Sequence, residues 1–162
     1  MSHDEAWRIR DLAPGDADTC DAIVLSLPYH FGQEQGRADC AVAVRNEPGL
    51  VAEQDDTVLG FCTFARRFDA SAEITWLAVH ADRRGGGIGT RLVEELAARM
   101  YAEGRRLLTA LTVSASDGPD DIEGGYDATR AFYRSAGFVE ARDFAGYWGG
   151  GDTPVLMVRP LP

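Results

Sequence analysis

One segment constrains this 162-residue chain more than any other: Arg84-Gly85-Gly86-Gly87-Ile88-Gly89-Thr90. It lies between an apolar, strand-like run over residues 74–79 and an amphipathic, helix-like run over residues 91–101. The fold therefore has to launch a helix straight from the end of a strand through a glycine turn. The first turn of a helix leaves backbone N–H groups without partners and carries partial positive charge. Glycines let the backbone approach an anion closely and adopt positive φ. Together these features make a cradle for phosphate. With the acidic Glu73 on the preceding strand, they suggest a chain that grips a pyrophosphate-bearing cofactor and acts on an acceptor beside it.

Three glycine loops compete for this pattern. A nucleotide-binding P-loop ends in Gly-Lys-Ser/Thr. This chain has no lysine, since its 16 Lys+Arg residues are all arginine. That excludes the P-loop and any lysine Schiff-base chemistry. A dinucleotide fingerprint needs Gly-x-Gly-x-x-Gly and an acid ending the next strand. Here Gly85-x-Gly87-x-x-Thr90 lacks the third glycine, and the next strand-like run, 107–113, ends without an acid. On the glycines alone, a plain turn that opens a helix is an equal reading.

The length suits one domain, 1–162, with a core that needs no staples. Apolar residues make up 45%, as in globular proteins, and no apolar run approaches membrane-spanning length. The polar, acidic beginning shows no secretory signal. Cys20, Cys40 and Cys62 are odd in number and lack metal-ligand spacing, so we expect reduced thiols, no metal site and a cytoplasmic protein. The net charge of −10 argues against nucleic acid as a partner. It suits a cationic acceptor, although solubility alone explains it equally simply. The acidic stretch Asp117-Gly118-Pro119-Asp120-Asp121-Ile122-Glu123 reads as a solvated connection.

Hydrophobic periodicity divides the chain into alternating elements. Strands are expected over 7–10, 50–54, 58–65, 72–79, 107–113, 138–144 and 154–158. Helices are expected over 17–27, 33–44, 87–102 and 127–135, the second interrupted by Gly36. Along 72–79, strict alternation puts Ala72, Ile74, Trp76 and Ala78 on one side, with Glu73, Thr75, Leu77 and Val79 on the other. The order βααβββαβαββ predicts an α/β protein (α+β mixed sheet) flanked by helices.

The glycine turn and its flanks, Ala72-Glu73-Ile74-Thr75-Trp76-Leu77-Ala78-Val79 and Arg84-Gly85-Gly86-Gly87-Ile88-Gly89-Thr90-Arg91-Leu92, resemble the signature of GNAT-superfamily N-acetyltransferases. Downstream, Thr129-Arg130-Ala131-Phe132-Tyr133-Arg134-Ser135-Ala136-Gly137-Phe138 is similar to that family's late helix and its turn into the next strand. The two matches occur in the family's order. The resemblance implies the GNAT acyl-CoA N-acyltransferase fold, acetyl-CoA as acetyl donor, and transfer to a primary amine of a small molecule. Many proteins of this fold pair, so a homodimer is also implied.

The resemblance also assigns roles. Arg84, Gly85, Gly86, Gly87, Ile88, Gly89 and Thr90 would surround the pyrophosphate. Leu77, Ala78 and Val79 would run beside the pantetheine arm, with the Leu77 N–H polarising the acetyl carbonyl and the side chains of Leu77 and Val79 in the core. Glu73 would be the general base, because partial burial moves a carboxylate toward the working pH of a base. The competing reading is a strand-end glutamate facing solvent or an arginine. Tyr133 would protonate the departing thiolate; the alternative is an aromatic packing against Phe132 and Phe138. Tyr126 stands where the family often has an asparagine that bonds pantetheine. Tyr29, Phe31, Trp76 and Trp148 would line the acceptor pocket, near His30 and Tyr147. His80 reads as structural; Arg130 would approach the nucleotide phosphates or, in the preferred reading, decorate the helix surface. Two alternatives remain: a catalytically silent acyl-CoA sensor, and an enzyme acting on protein amines.

Overall fold

The computed structural model describes residues 6–118, 125–149 and 151–162. His3, Gly150 and residues 119–123 of the acidic stretch lie outside the described residues. The elements follow the expected order: β1 (Arg8–Asp11), α1 (Ala17–Leu25), α2 (Glu34–Asn46), β2 (Gly49–Gln54), β3 (Thr57–Phe68), β4 (Ser71–Val79), α3 (Ile88–Ala102), β5 (Leu107–Val113), α4 (Tyr126–Ser135), β6 (Val139–Asp143) and β7 (Pro154–Pro160). The strands form one seven-stranded mixed sheet in the order β1-β2-β3-β4-β5-β7-β6. The chain falls into two compact units, one running to Ala65 and including Thr75–Leu96, the other combining Arg66–Ile74 with Ala97–Pro162.

In the first unit, β2 and β3 form an antiparallel hairpin closed by the pair Gln54↔Thr57. The two turn residues, Asp55 and Asp56, both take positive φ (48° and 62°). Such a turn matches the twist of the flanking strands, and aspartate tolerates the left-handed region better than most residues. Val51 of β2, Phe61 of β3 and Ala78 of β4 join Cys20, Ile23 and Val24 of α1, Leu27 and Phe31 beyond it, and Cys40 and Val44 of α2 in one core cluster. On the face opposite Phe61, Gly60 approaches Ile88 at the start of α3 and the side chain of Val79. At the sheet edge, Arg10 of β1 donates to both Asp16 and Glu53 at 2.8–3.0 Å. Its guanidinium holds both carboxyls below their usual range.

In the second unit, β5 pairs with β7 from Leu107↔Pro160 to Val113↔Pro154. The edge strand β6 pairs with β7, with a register shift between Glu140 and Arg142. Ser71–Ile74 of β4 pair in parallel with Leu107–Ala110 of β5. Arg66 and, less strongly, Arg105 hold the Glu103 carboxyl down at about 2.

Three features differ from the sequence expectation. The helix α2 runs straight through Gly36 to Asn46; burial of Cys40, Ala43 and Val44 outweighs the roughly 1 kcal/mol that a helical glycine costs. The strand β3 continues three residues beyond Ala65 to Phe68. Arg130 does not decorate a surface: it is 3% exposed and donates to the Val113 carbonyl and to Asp127. An arginine can be buried where its donors meet a carbonyl and a carboxylate together.

A Cβ on Gly49 would sit 2.5 Å from the Cys62 carbonyl oxygen and 2.8 Å from Leu12 Cδ2. Gly49→Ala is therefore expected to destabilise the protein by about 1–3 kcal/mol. Gly15→Ala, whose Cβ meets nothing within 4 Å, should stay near wild type. Urea denaturation of both variants checks this, and equal midpoints would refute it.

Candidate active site

The glycine turn takes the backbone geometry that its residues suggest. A 3-10 turn, Ala81–Arg83, follows β4, capped by His80 Nδ1 accepting from the Asp82 N–H at 3.1 Å. His80 is therefore structural here. Arg84 is extended, and Gly85 and Gly87 both take φ of +83°, the left-handed region that glycine enters without steric cost. The first helical hydrogen bond of α3 runs from the Arg91 N–H to the Gly87 carbonyl at 3.1 Å. By helix geometry, the N–H groups of Ile88, Gly89 and Thr90 then lie in the first turn, ahead of any intrahelical acceptor. Ile88 is buried and anchors this turn, while residues 84–87 and Thr90 are exposed. Cβ positions at Gly85 and Gly87 face open space. The result is an exposed ring of amides at a helix N-terminus, a geometry suited to a phosphate group.

The preceding strand breaks its alternation. The Thr75 hydroxyl lies 2.7 Å from that of Thr63, two residues from Phe61 on the same face of β3. Trp76, its neighbour, packs on Phe31 at 5.8 Å between ring centroids, and Ala78 joins the cluster containing Phe61. Thr75 and Trp76 thus point to the same face, which regular pleating forbids. This corrects the expected alternation: beyond Ile74 the strand shifts phase by one residue, as at a β-bulge. Val79, and by alternation Leu77, then face Gly60 and the start of α3. Both side chains are half-buried rather than core, as are Thr75 and Trp76.

Thr75 also donates its hydroxyl proton to Glu47, the C-cap residue of α2. Sequence reasoning missed this carboxylate because it lies in a link between elements. The one available signal was an acid just past a helix end, where cations are favoured.

The other expected residues are placed as follows. Glu73 is half-buried and bonded to Arg67 Nε at 2.7 Å, so it faces an arginine. Tyr133 is buried on α4, edge-on to Phe132 and to Phe138, each at 5.2 Å. Tyr126 is the first residue of α4 and half-buried. Phe31 and Trp76 are brought together, whereas Tyr29 is exposed beside His30 and Trp148 is exposed in the second unit. Among the described residues no three His, Cys, Asp or Glu side chains cluster as metal ligands, and no helix is long and apolar enough to cross a membrane.

Comparison with known proteins gives the class. The model of the acetyltransferase (GNAT) domain matches residues 45–140. The chain belongs to that family and is an N-acetyltransferase. Comparison with curated proteins returns no match. Among solved structures, a GNAT-family protein from Desulfovibrio desulfuricans superimposes with a TM-score of 0.81 at 22% identity, covering 97% of this chain and 100% of its own. The ribosomal-protein-S18-alanine N-acetyltransferase from Escherichia coli gives 0.72 at 19%, covering 96% and 94%. An aminoglycoside 6'-N-acetyltransferase complexed with coenzyme A gives 0.73 at 18%, covering 96% and 98%. These likenesses identify the fold: this chain has the mixed-sheet architecture of GNAT acetyltransferases.

The loop geometry makes a graded prediction. Gly85→Ala and Gly87→Ala force an L-residue into the left-handed region, at about 1–2 kcal/mol each. Both are expected to lower stability and to weaken coenzyme A binding in calorimetry. Gly86→Ala places its Cβ in ordinary contact, 3.6 Å from the Arg83 carbonyl, and should not lower stability. Equal behaviour of all three variants would contradict the assigned geometry.

Proposed function

We propose that the whole chain works as one catalytic domain that moves an acetyl group from acetyl-CoA to a primary amine of a small molecule by direct attack. The observation that carries this reading is the exposed turn at 84–90. It couples two left-handed glycines to the first turn of α3 immediately after β4. Those residues fit a pyrophosphate: the amides donate, the helix dipole adds positive potential, and no Cβ at Gly85 or Gly87 blocks close approach.

Bound acetyl-CoA supplies an acyl group already activated as a thioester, so no covalent enzyme intermediate is needed. The amides of residues 85–90 hold its phosphates. Leu77, Ala78 and Val79 offer their backbone to the pantetheine arm, and the Leu77 N–H stabilises charge developing on the acetyl oxygen. Tyr126 stands on the pantetheine side in the same reading. An alkyl ammonium gives up its proton unaided only near pH ~10, so a base is required. Glu73 takes that proton, exchanging its contact with Arg67. Tyr133 donates a proton to the departing sulfur. Phe31 and Trp76 wall the acceptor's apolar part. The aminoglycoside enzyme among the structural neighbours supports a small-molecule acceptor, and the ribosomal-protein enzyme supports the alternative of a protein amine. The burial of Cys20, Cys40 and Cys62 as thiols suits the cytoplasm, and a homodimer accords with the habit of the fold.

Thiol release from acetyl-CoA, followed colorimetrically across amines, polyamines, amino acids and peptides, tests the activity. Coenzyme A binding without turnover on any acceptor would favour a sensor. Glu73→Gln should lower kcat about a hundredfold at neutral pH and less near pH ~10, where the amine deprotonates itself. Arg67→Ala, which releases Glu73, should retain turnover. If both variants lose stability equally and neither changes kcat, the ion pair is the whole role of Glu73. Tyr133→Phe should slow turnover while leaving coenzyme A affinity within twofold; unchanged turnover reduces Tyr133 to packing.

A further inference from the structure

The half-buried carboxylate of Glu47 differs in its partner from four other buried or half-buried carboxylates among the described residues. Asp16 and Glu53 meet Arg10, Asp21 meets Arg45, and Glu73 meets Arg67. Among the described residues Glu47 meets no arginine and accepts from the Thr75 hydroxyl. Arg45, two residues away, is committed to Asp21 and to the Ala41 carbonyl. Glu47 also caps the C-terminus of α2, where the helix dipole disfavours negative charge. A carboxylate kept there without a cation is destabilising unless something else uses it.

The surrounding hydrogen bonds hold it in one orientation. A hydroxyl has one proton, and a carboxylate only accepts. The Thr75 proton goes to Glu47, so the contact between Thr63 and Thr75 is donated by Thr63. Thr63 is fully buried and fixes the chain Thr63→Thr75→Glu47 from below. The strand irregularity places Trp76 on the same face as Thr75, packed at a tilt against Phe31. Glu47, Thr75 and Trp76 are all half-buried and open to solvent. A fixed anion beside an aromatic wall is suited to an ammonium on an apolar stem.

We propose that Glu47, oriented by Thr75, binds the cationic amine of the acceptor. This rests on the acetyl-transfer reading and names the chemistry of its acceptor: a primary alkyl or arylalkyl ammonium, bound two residues along β4 from Leu77.

The test uses benzylammonium chloride as probe, titrated by NMR into the full chain, with benzyl alcohol as neutral control and coenzyme A titrated into the same samples. Wild type should bind benzylammonium at least tenfold more tightly than Glu47→Gln, whose amide oxygen still accepts from Thr75. Thr75→Val should fall in between, and benzyl alcohol should not distinguish the three proteins. With the best acceptor from the amine panel, Glu47→Gln should raise KM at least tenfold, with a smaller change in kcat. Equal benzylammonium affinity in wild type and both variants, or no binding to wild type, overturns the assignment. If coenzyme A fails to bind wild type, the acetyl-transfer reading falls instead; coenzyme A binding without a Glu47-dependent amine site sinks this inference alone.

Discussion

Two neighbours in one strand, Thr75 and Trp76, send their side chains to the same face of the sheet. Much of the site follows from that single departure. Upstream of it, β4 is in register with β5 as far as Ile74↔Ala110. Downstream, the shifted phase carries Ala78 into the cluster with Phe61 and turns Val79 toward Gly60 and Ile88. A strictly alternating strand would send either Thr75 away from Thr63 or Trp76 away from Phe31. The first outcome would strip Glu47 of its hydroxyl, and the second would remove the aromatic wall. Two differently shaped side chains are thereby presented together, as at bulges beside functional sites.

The glycine turn works by the opposite route, through an absence of side chains. Gly85 and Gly87 occupy backbone conformations that would strain other residues, and the buried Ile88 anchors the first turn of α3. The isoleucine anchors the turn in the core, and the glycines leave its outer side open.

What was legible in the sequence follows from the range of the forces involved. The strand-like run over 107–113 and the apolar stripe of α3 are local patterns, and those elements form where the pattern puts them. The glycine turn is also local, because positive φ is a property of single residues. Gly36 misled because propensity is weak beside the burial of Cys40 and Val44. The phase shift in β4 left no trace in residue types, since it is set by what Thr63 and Phe31 offer from elsewhere in the chain. The role of Arg130 was hidden for the same reason: its burial depends on a carbonyl at Val113, 17 residues away. The Glu73–Arg67 and Glu47–Thr75 pairings likewise join residues that only folding brings together.

The arginine-only cation set has a consequence for alkaline chemistry. Lysine ammonium groups titrate near pH ~10.4, in the region where an alkylamine acceptor also loses its proton. This chain has none, and the ion pairs of Glu53, Asp21 and Glu73 are built on guanidinium groups that keep their charge there. Burial pushes the thiols of Cys20 and Cys40 up to about 12, clear of the same region. The scaffold therefore keeps its cations through this region, and lysine titration cannot contribute to the basic limb of a rate profile.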